Sequence, residues 1–339
     1  MSHDIPVLNF PKVIIAVDKD CPRIFQPALD PHGNPTLTPV WEPKDGDISR
    51  GLNYSDAKML TVNGKPSILI SAIQNAPTKP HAYLIDFKSG ETVWHESHGV
   101  LQALAGGVHT TTYIPGKGKG FIVAGIPNDT SHTTDNMAYI NMDDDLLTKV
   151  DFIDNHASVW IDDTSAPNGG YLWASGRSTP AATADAKDGK CLLRKYSLNN
   201  KNNLQLVREF ILVEYPENLS YMNQKEYWED PHDIAVIDGD KLWITTESRV
   251  VEFNLKTEMV TAQISKGVFM SEVEPGANTE DIVFSASNLK SLGVKDNYIV
   301  YVQTMGKASS STEFCITYKG SKYTFTPGAG KRFYKVRWA

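Results

Sequence analysis

Five residues that can act as acids, bases or metal ligands occupy matching positions along the chain. Each begins a short run of residues that favour β-strands: they are Asp56, His109, His156, His232 and Glu280. If the runs are equivalent strands of a repeating fold, their first residues converge on one pocket. Imidazoles and carboxylates confined together must be paired, protonated or bound to a cation.

This ring of side chains suits two kinds of chemistry. Three histidines and a carboxylate are typical ligands of Zn²⁺, Mn²⁺ or Fe²⁺, with Mg²⁺ or Ca²⁺ as further candidates. The expected metal ligands are His109, His156, His232 and Glu280. The ring equally suits acid/base catalysis, because neighbouring carboxylates and imidazoles shift each other's pKa toward neutrality. Asp56 or Glu280 then orients an imidazole or completes the coordination.

A structural role is the ordinary explanation for any single member of the ring. A polar residue at the start of a strand commonly caps a turn or forms a hydrogen bond with the backbone. Five such residues at the same phase of successive units favour a functional site instead.

Three basic residues are candidates to reach the ring or the mouth of its pocket. Lys58 follows Asp56 by two positions, so strand alternation turns both side chains to the same face. There Lys58 either stabilises negative charge on a substrate or forms a salt bridge with Asp56 or Glu280. Arg177 and Arg249 follow second strands and are weaker candidates, because most such arginines form surface ion pairs.

Other residues with reactive or aromatic side chains have simpler explanations. His95 and His98 are spaced so that a strand places them on opposite faces, and we expect them in solvent. Trp160, Trp173 and Trp243 have the phase of residues that pack between sheets.

Several familiar motifs are absent. The glycine-rich run at Pro115–Gly120 has no Walker lysine pattern after it, so it predicts a hairpin turn. No G-x-S-x-G, Rossmann or H-E-x-x-H motif occurs, which disfavours serine hydrolases, nicotinamide enzymes and zincin proteases. We therefore expect no nucleotide cofactor.

The elements that must position the ring are short strands, since runs of β-branched and aromatic residues recur between turn residues. The segment from His232 to Gln263 predicts a four-stranded meander, and the Asp238-Gly239 pair supplies a hairpin turn. The same plan recurs four times: from Asp56 to Trp94, from His109 to Phe152, from His156 to Phe210 and from Glu280 to the C-terminus.

A sixth, partial unit lies between Val13 and Pro43 and lacks an innermost strand, which the segment from Arg332 to Trp338 can supply. Repeated antiparallel units of this length predict an all-β fold, a six-bladed β-propeller of four-stranded blades forming a single domain over residues 1–339. Five or seven blades remain open, and a sandwich or jelly roll is the structural alternative.

Composition narrows the class of partner. The net charge of −7 without a basic run argues against a nucleic-acid partner. The N-terminal residues show no signal peptide or membrane span, so we expect a cytoplasmic, monomeric protein with no membrane partner. The three widely separated cysteines predict reduced thiols. Long loops are expected at Pro127–Asn136, Arg177–Lys190 and Pro216–Pro231, as lids or disordered segments.

Several short motifs resemble a poorly characterised family of microbial six-bladed propellers. They are the segments Val13–Asp20, Gly106–His109, Asp230–Asp233 with Leu242–Thr246, and Tyr334–Trp338. The chain is also similar to the propeller proteins of fungal trichothecene biosynthetic clusters, which implies closure of an oxygen ring on a sesquiterpene. A second similarity, to propeller polysaccharide lyases, implies that His109, His156 and His232 act around a metal.

The leading hypothesis is a non-redox enzyme, a lyase, cyclase or isomerase, that acts on a small oxygenated molecule at the channel mouth. Terpenoids of fungal secondary metabolism are one candidate class of substrate. The alternatives are a carbohydrate-directed polysaccharide lyase that uses the same ring and a non-catalytic propeller that binds a sugar or a protein.

Overall fold

The structure is a computed structural model of the chain. The residues it describes are 13–17, 22–44, 48, 53–73, 80–96, 108, 110–116, 118–125, 137–178, 190–213, 231–237, 239–246, 250–264, 299–300, 314–318, 321–325 and 333–338. Within these ranges every regular element is a β-strand and no helix occurs.

The strands are numbered in chain order. They are β1 (Val13–Val17), β2 (Arg23–Leu29), β3 (Pro35–Trp41), β4 (Asn53–Val62), β5 (Lys65–Ile73), β6 (Ala82–Asp86), β7 (Thr92–His95), β8 (Thr110–Ile114), β9 (Phe121–Gly125), β10 (Met137–Asn141), β11 (Leu147–Val150), β12 (Ile153–Asp162), β13 (Gly170–Arg177), β14 (Cys191–Leu198), β15 (Leu204–Val213), β16 (Pro231–Ile237), β17 (Lys241–Thr246), β18 (Val250–Asn254), β19 (Met259–Ile264), β20 (Ile299–Val300), β21 (Phe314–Tyr318), β22 (Ser321–Phe325) and β23 (Phe333–Trp338).

The strands form antiparallel sheets that repeat one plan. Four sheets are consecutive meanders with the orders β4–β5–β6–β7, β8–β9–β10–β11, β12–β13–β14–β15 and β16–β17–β18–β19. A further four-stranded sheet has the order β23–β1–β2–β3, and β20–β21–β22 form a three-stranded sheet. The predicted fold class is confirmed: the chain is an all-β protein whose four-stranded sheets form a β-propeller.

The chain divides into two compact units. The first contains residues 1–70, 83–93 and 272–339, and the second contains residues 71–82 and 94–271. The expectation of a single domain over residues 1–339 stays a prediction.

In the first unit, the two distant ends of the sequence share one sheet. Strand β23 pairs antiparallel with β1, in a register that places Val13 opposite Trp338 and Ile15 opposite Val336. Strand β23 therefore supplies the innermost strand that the sequence between Val13 and Pro43 lacks, and this prediction is confirmed.

In the second unit, three meanders pack against one another through two apolar cores. The β8–β11 and β12–β15 sheets bury a core that includes Phe121, Tyr139 and Leu172. On its other face the β12–β15 sheet packs against the β16–β19 sheet around Trp173 and Phe253. Leu172 and Trp173 are consecutive residues of β13 that face opposite cores, as expected for a strand buried on both sides.

Turn chemistry connects the strands as the sequence indicates. Asn63 and Gly64 link β4 to β5 with φ values of 49° and 78°, and a tight hairpin of type I′ requires two such positive values. The run Pro115–Gly120 connects β8 to β9, with Gly118 and Gly120 at positive φ, so the predicted hairpin turn is confirmed.

Residues outside the described ranges include those of the loop predicted at Pro127–Asn136 and most of the other two predicted loops. In the part of the chain that is described, no helix is long and apolar enough to cross a bilayer.

Candidate functional site

The start of β4 places two of the predicted site residues in one ion pair. Asp56 is only 1% exposed, and the Nζ atom of Lys58 lies 3.4 Å from its Oδ2 atom. Because a buried carboxylate needs a compensating charge, Lys58 suits Asp56 as a salt-bridge partner, which is one of the two partners expected for it. Glu280, the other expected partner, lies outside the described residues. The Lys58 side chain is 18% exposed and so keeps partial contact with solvent.

Two of the predicted histidines lie on neighbouring inner strands of the second unit. His156 belongs to β12 and His232 belongs to β16, and these two strands contact each other. The residues that follow them, Ala157 and Asp233, pair with Ser175 and Thr245 near the ends of the second strands of their sheets.

The inner strand β8 begins in the same way, opposite the end of the second strand of its sheet. Its first residue, Thr110, pairs with Gly125, the last residue of β9. His109 immediately precedes Thr110 and lies outside the described residues, as does Glu280.

Both described histidine positions fall where strand pairing is irregular. The register between β12 and β13 shifts between Ile153 and Ala157, and the register between β16 and β17 shifts between Pro231 and Asp233. Such bulges bend a strand, change the direction of its side chains, and are frequent near active sites. The backbones of His156 and His232 therefore share both a register position and a local irregularity.

The inner end of the β12–β15 sheet is unusually polar for a buried region. Asn155 is completely buried and donates hydrogen bonds from Nδ2 to the carbonyl oxygens of Ala157 (3.0 Å) and Ser175 (2.7 Å). Further along β12, Ser158 meets Thr112 of β8. The Thr112 hydroxyl donates to the carbonyl oxygen of Ser158 at 2.7 Å and lies 2.8 Å from the Ser158 Oγ atom. Neutral hydrogen bonds thus join β8, β12 and β13 close to His156.

Arg177 is placed differently from the sequence expectation of a surface ion pair. It is the last residue of β13, pairs with Ile153 in the register, and is only 2% exposed. A guanidinium remains charged when buried, so its position at the end of the strand that flanks His156 makes it part of the polar region. Arg249 lies outside the described residues.

The sequence analysis missed a buried titratable pair in the second unit. His81 and Glu96 are both buried, and the backbone N–H of His81 donates a 2.5 Å hydrogen bond to Oε1 of Glu96. Among the described residues, neither ring nitrogen of His81 has a hydrogen-bond partner. Burial lowers the pKa of His81, and the backbone of Ala72 opposes this only in part. His95, one residue before Glu96, is exposed as expected, whereas His98 lies outside the described residues.

The described residues contain no group of three or more histidine, cysteine, aspartate or glutamate side chains that could hold a metal ion. This does not test the predicted ligand set, because His109 and Glu280 lie outside those residues and His156 and His232 are described through their backbones. The metal site stays a prediction.

Two of the three tryptophans that the sequence predicts to pack between sheets lie at the apolar cores of the second unit. Trp173 belongs to the core between the β12–β15 and β16–β19 sheets, and Trp160 packs at the edge of the other core. Trp243 is half-buried and donates from Nε1 to Oε2 of Glu252. The side chain of Cys191 is buried.

No protein-family model matches the chain, and no curated protein sequence matches it. Several solved structures resemble it in fold. A hypothetical selenium-binding protein from Sulfolobus tokodaii has a TM-score of 0.50 and 12% identity, over 94% of this chain and 76% of that chain. Sqt1 from Saccharomyces cerevisiae has a TM-score of 0.43 and 10% identity, over 94% of this chain and 69% of that chain.

Hydrazine synthase from Kuenenia stuttgartiensis has a TM-score of 0.42 and 12% identity, over 72% of either chain. At these identities, the similarity to the Sulfolobus tokodaii protein supports the β-propeller fold and carries no information about activity.

Proposed function

We propose that this protein is a non-redox enzyme of the lyase, cyclase or isomerase type, which acts on a small oxygenated molecule at the starts of its inner strands. The observation that supports it best is the placement of His156 and His232 at matching, irregular positions of the adjacent strands β12 and β16. A sheet that needed only stability would not require a bulge and an ionisable residue at the same place in two strands.

The proposed chemistry is proton transfer between imidazoles and substrate oxygens. An imidazole titrates near neutral pH, so one histidine can accept a proton while another donates one within the same turnover. His109, which precedes β8, supplies a third imidazole in this proposal. When bound by His109, His156, His232 and Glu280, a divalent ion would polarise a substrate oxygen.

Lys58 has a separate role in the proposal. Its ammonium group is held by the buried Asp56 carboxylate and is partly accessible, which suits it to stabilise negative charge on an oxygen. The variant Lys58→Met keeps the length of the side chain and removes the charge, so a fall in kcat without loss of folding would support this role.

The substrate class comes from resemblance. The similarity to propeller proteins of fungal trichothecene clusters makes oxygenated sesquiterpenes the first compounds to try. The proposal includes a monomeric, cytoplasmic protein without nucleic-acid or membrane partners. The net charge of −7 supports the part of it that concerns nucleic acids.

The test compares His156→Ala and His232→Ala with His32→Ala, which removes an exposed histidine from the β2–β3 turn. Each protein is incubated with oxygenated sesquiterpenes, and products are followed by mass spectrometry. We expect a product that is isomeric with its substrate or differs from it by one water, formed at least a hundredfold more slowly by the first two variants. The His32→Ala protein should match the unchanged protein.

The same proteins are titrated with Zn²⁺ and Mn²⁺ by calorimetry. Loss of binding in both ring variants supports the metal form of the proposal, whereas normal turnover without any metal binding supports the acid/base form. Normal turnover in His156→Ala and His232→Ala would overturn the catalytic proposal. Cleavage of uronate polysaccharides, or binding of a sugar without turnover, would favour the two alternative functions.

A further inference from the structure

Asn155, the residue before His156, is held in place by several hydrogen bonds. Asn155 lies inside the irregular stretch between Ile153 and Ala157, and its side-chain amide donates to one carbonyl on its own strand and one on β13. The Ser175 hydroxyl donates to the Ala157 carbonyl as well, at 3.3 Å. Three hydrogen bonds therefore tie the irregular stretch to the regular ladder that follows it.

Gly125, at the end of β9 in the neighbouring sheet, lies close to the same stretch of β12. A Cβ atom on Gly125 would lie 2.4 Å from the backbone carbonyl oxygen of Asn155 and 2.3 Å from its Oδ1 atom. Any side chain larger than hydrogen would therefore collide with backbone, and glycine is required here by close approach.

The carbonyl touched by Gly125 belongs to the peptide bond that joins Asn155 to His156. Because that peptide is planar, contact with its oxygen also fixes the amide nitrogen of His156. Contacts from the β8–β11 sheet and hydrogen bonds within the β12–β15 sheet therefore meet at the backbone of this residue.

We propose that Asn155 and Gly125 are positioning residues for His156, which set the peptide from which its imidazole projects. This inference rests on the proposed function, in which His156 exchanges protons or binds a metal. Neither residue needs to touch substrate. Their effect is exerted through the backbone of His156, much as the residues around a metal ligand tune that ligand.

The test is Asn155→Ala with Thr112→Val as the matched control. Thr112 is also buried, and its hydroxyl on β8 hydrogen-bonds to β12 at Ser158, one residue beyond Ala157, the partner of Asn155. The imidazole signal of His156 is assigned by its loss in His156→Ala and followed by NMR as a function of pH, in the resting protein without substrate. Thermal unfolding of each variant is measured in parallel.

We expect Asn155→Ala to change the chemical shift and the pKa of the His156 imidazole and to weaken Zn²⁺ binding, where the ring binds Zn²⁺, by about 10 to 100-fold. Gly125→Ala should move the same NMR signal, because it displaces the same peptide from the other side. Thr112→Val should lower the melting temperature and leave the His156 signal in place. If Asn155→Ala does not fold, Asn155→Ser, which keeps a short donor, is used in its place.

An unchanged His156 signal and pKa in both Asn155→Ala and Gly125→Ala would overturn the inference, whatever their stability. The readout is independent of turnover. A shifted signal in these variants, together with full activity in His156→Ala, would retain the positioning role and refute the proposed function.

Discussion

The two faces of the β12–β15 sheet are packed by different means. Toward the β8–β11 sheet, the contacts of the inner strands are neutral and close, with Asn155 against Gly125 and Thr112 against Ser158, although Arg194 adds a charge over the core on this face. Toward the β16–β19 sheet, an aromatic cluster is covered by several charges. The neutral contacts of the first face fix backbone near the inner strands, whereas the second, more charged face joins outer strands and a turn.

The charged face is organised around Glu258 in the β18–β19 turn. Its Oε1 atom lies 2.6 Å from Nζ of Lys195, and its Oε2 atom lies 2.7 Å from a guanidinium nitrogen of Arg208. Lys195 in turn stands 4.1 Å from the centre of the Tyr171 ring. The largely buried carboxylate of Glu258 contributes through two cationic partners at once, which a single exposed ion pair does not.

The largest expected effect comes from the apolar part of the charged face. Phe253 packs edge-on against Phe210, with ring centres 4.9 Å apart, and lies 5.6 Å from Trp173. Phe253→Ala leaves a cavity among these rings and should lower the free energy of unfolding by about 3 to 5 kcal/mol, measured by urea denaturation. Leu206→Ala, at an exposed position of β15, is the control and should change it by less than about 1 kcal/mol. Similar losses in both variants would show that this core does not determine stability.

The next effect separates charge from backbone conformation at Glu258. Its φ of 53° lies in the left-handed region, where a side chain costs energy relative to glycine. Glu258→Ala should cost about 1 to 2 kcal/mol, since it leaves Lys195 and Arg208 without their shared carboxylate. Glu258→Gly loses the same charge and should recover up to about 1 kcal/mol of that cost. The control, Glu209→Ala, removes the more exposed partner of Arg194 and should have a smaller effect.

Acid should weaken the same cluster. Burial alone would raise the pKa of Glu258, but the hydrogen bonds and charges of Lys195 and Arg208 outweigh it and hold the pKa below 4.5. The stabilisation is therefore complete above pH 4.5 and is lost as the pH falls through the lower pKa of the folded protein. Unfolding of Glu258→Ala should lack this part of the acid dependence, and an unchanged acid profile would contradict the assignment.

The smallest expected effect concerns the buried imidazole of His81, whose ring nitrogens have no hydrogen-bond partner among the described residues. Burial lowers the pKa of His81, so the folded state binds its proton less readily than the unfolded state. Its contribution to stability is therefore complete above pH 6.5 and declines as the pH falls below it. His81→Phe should flatten the pH dependence of unfolding in this range, while His32→Ala, at an exposed turn, should not. The backbone bond from residue 81 to Glu96 remains in both variants.

The sequence predicted the strands well because their signals are local. Short runs of apolar and aromatic residues mark β13 and β17, and paired turn residues such as Asn63 and Gly64 mark the hairpins. The pairing of the first and last strands was also predictable, since the sequence between Val13 and Pro43 provides one strand too few.

The surroundings of the candidate site were less predictable because they depend on contacts between distant residues. Nothing adjacent to Gly125 in the sequence indicates that the carbonyl of Asn155 will occupy the space of its missing side chain. The burial of Arg177 and the orphaned ring of His81 likewise follow from how strand ends meet other strands. Residue types and spacing identified Asp56 and Lys58, and the structure shows the ion pair between them.

The pairing of β23 with β1 has a consequence for the order of events during synthesis. Strands β1, β2 and β3 leave the ribosome well before β23, so the inner edge of their sheet stays uncovered while the intervening chain is made. Pairing over such a long loop is entropically slow, and an uncovered edge can pair with another chain in the meantime. The yield of native protein should thus depend on how quickly the last strand is delivered to the first.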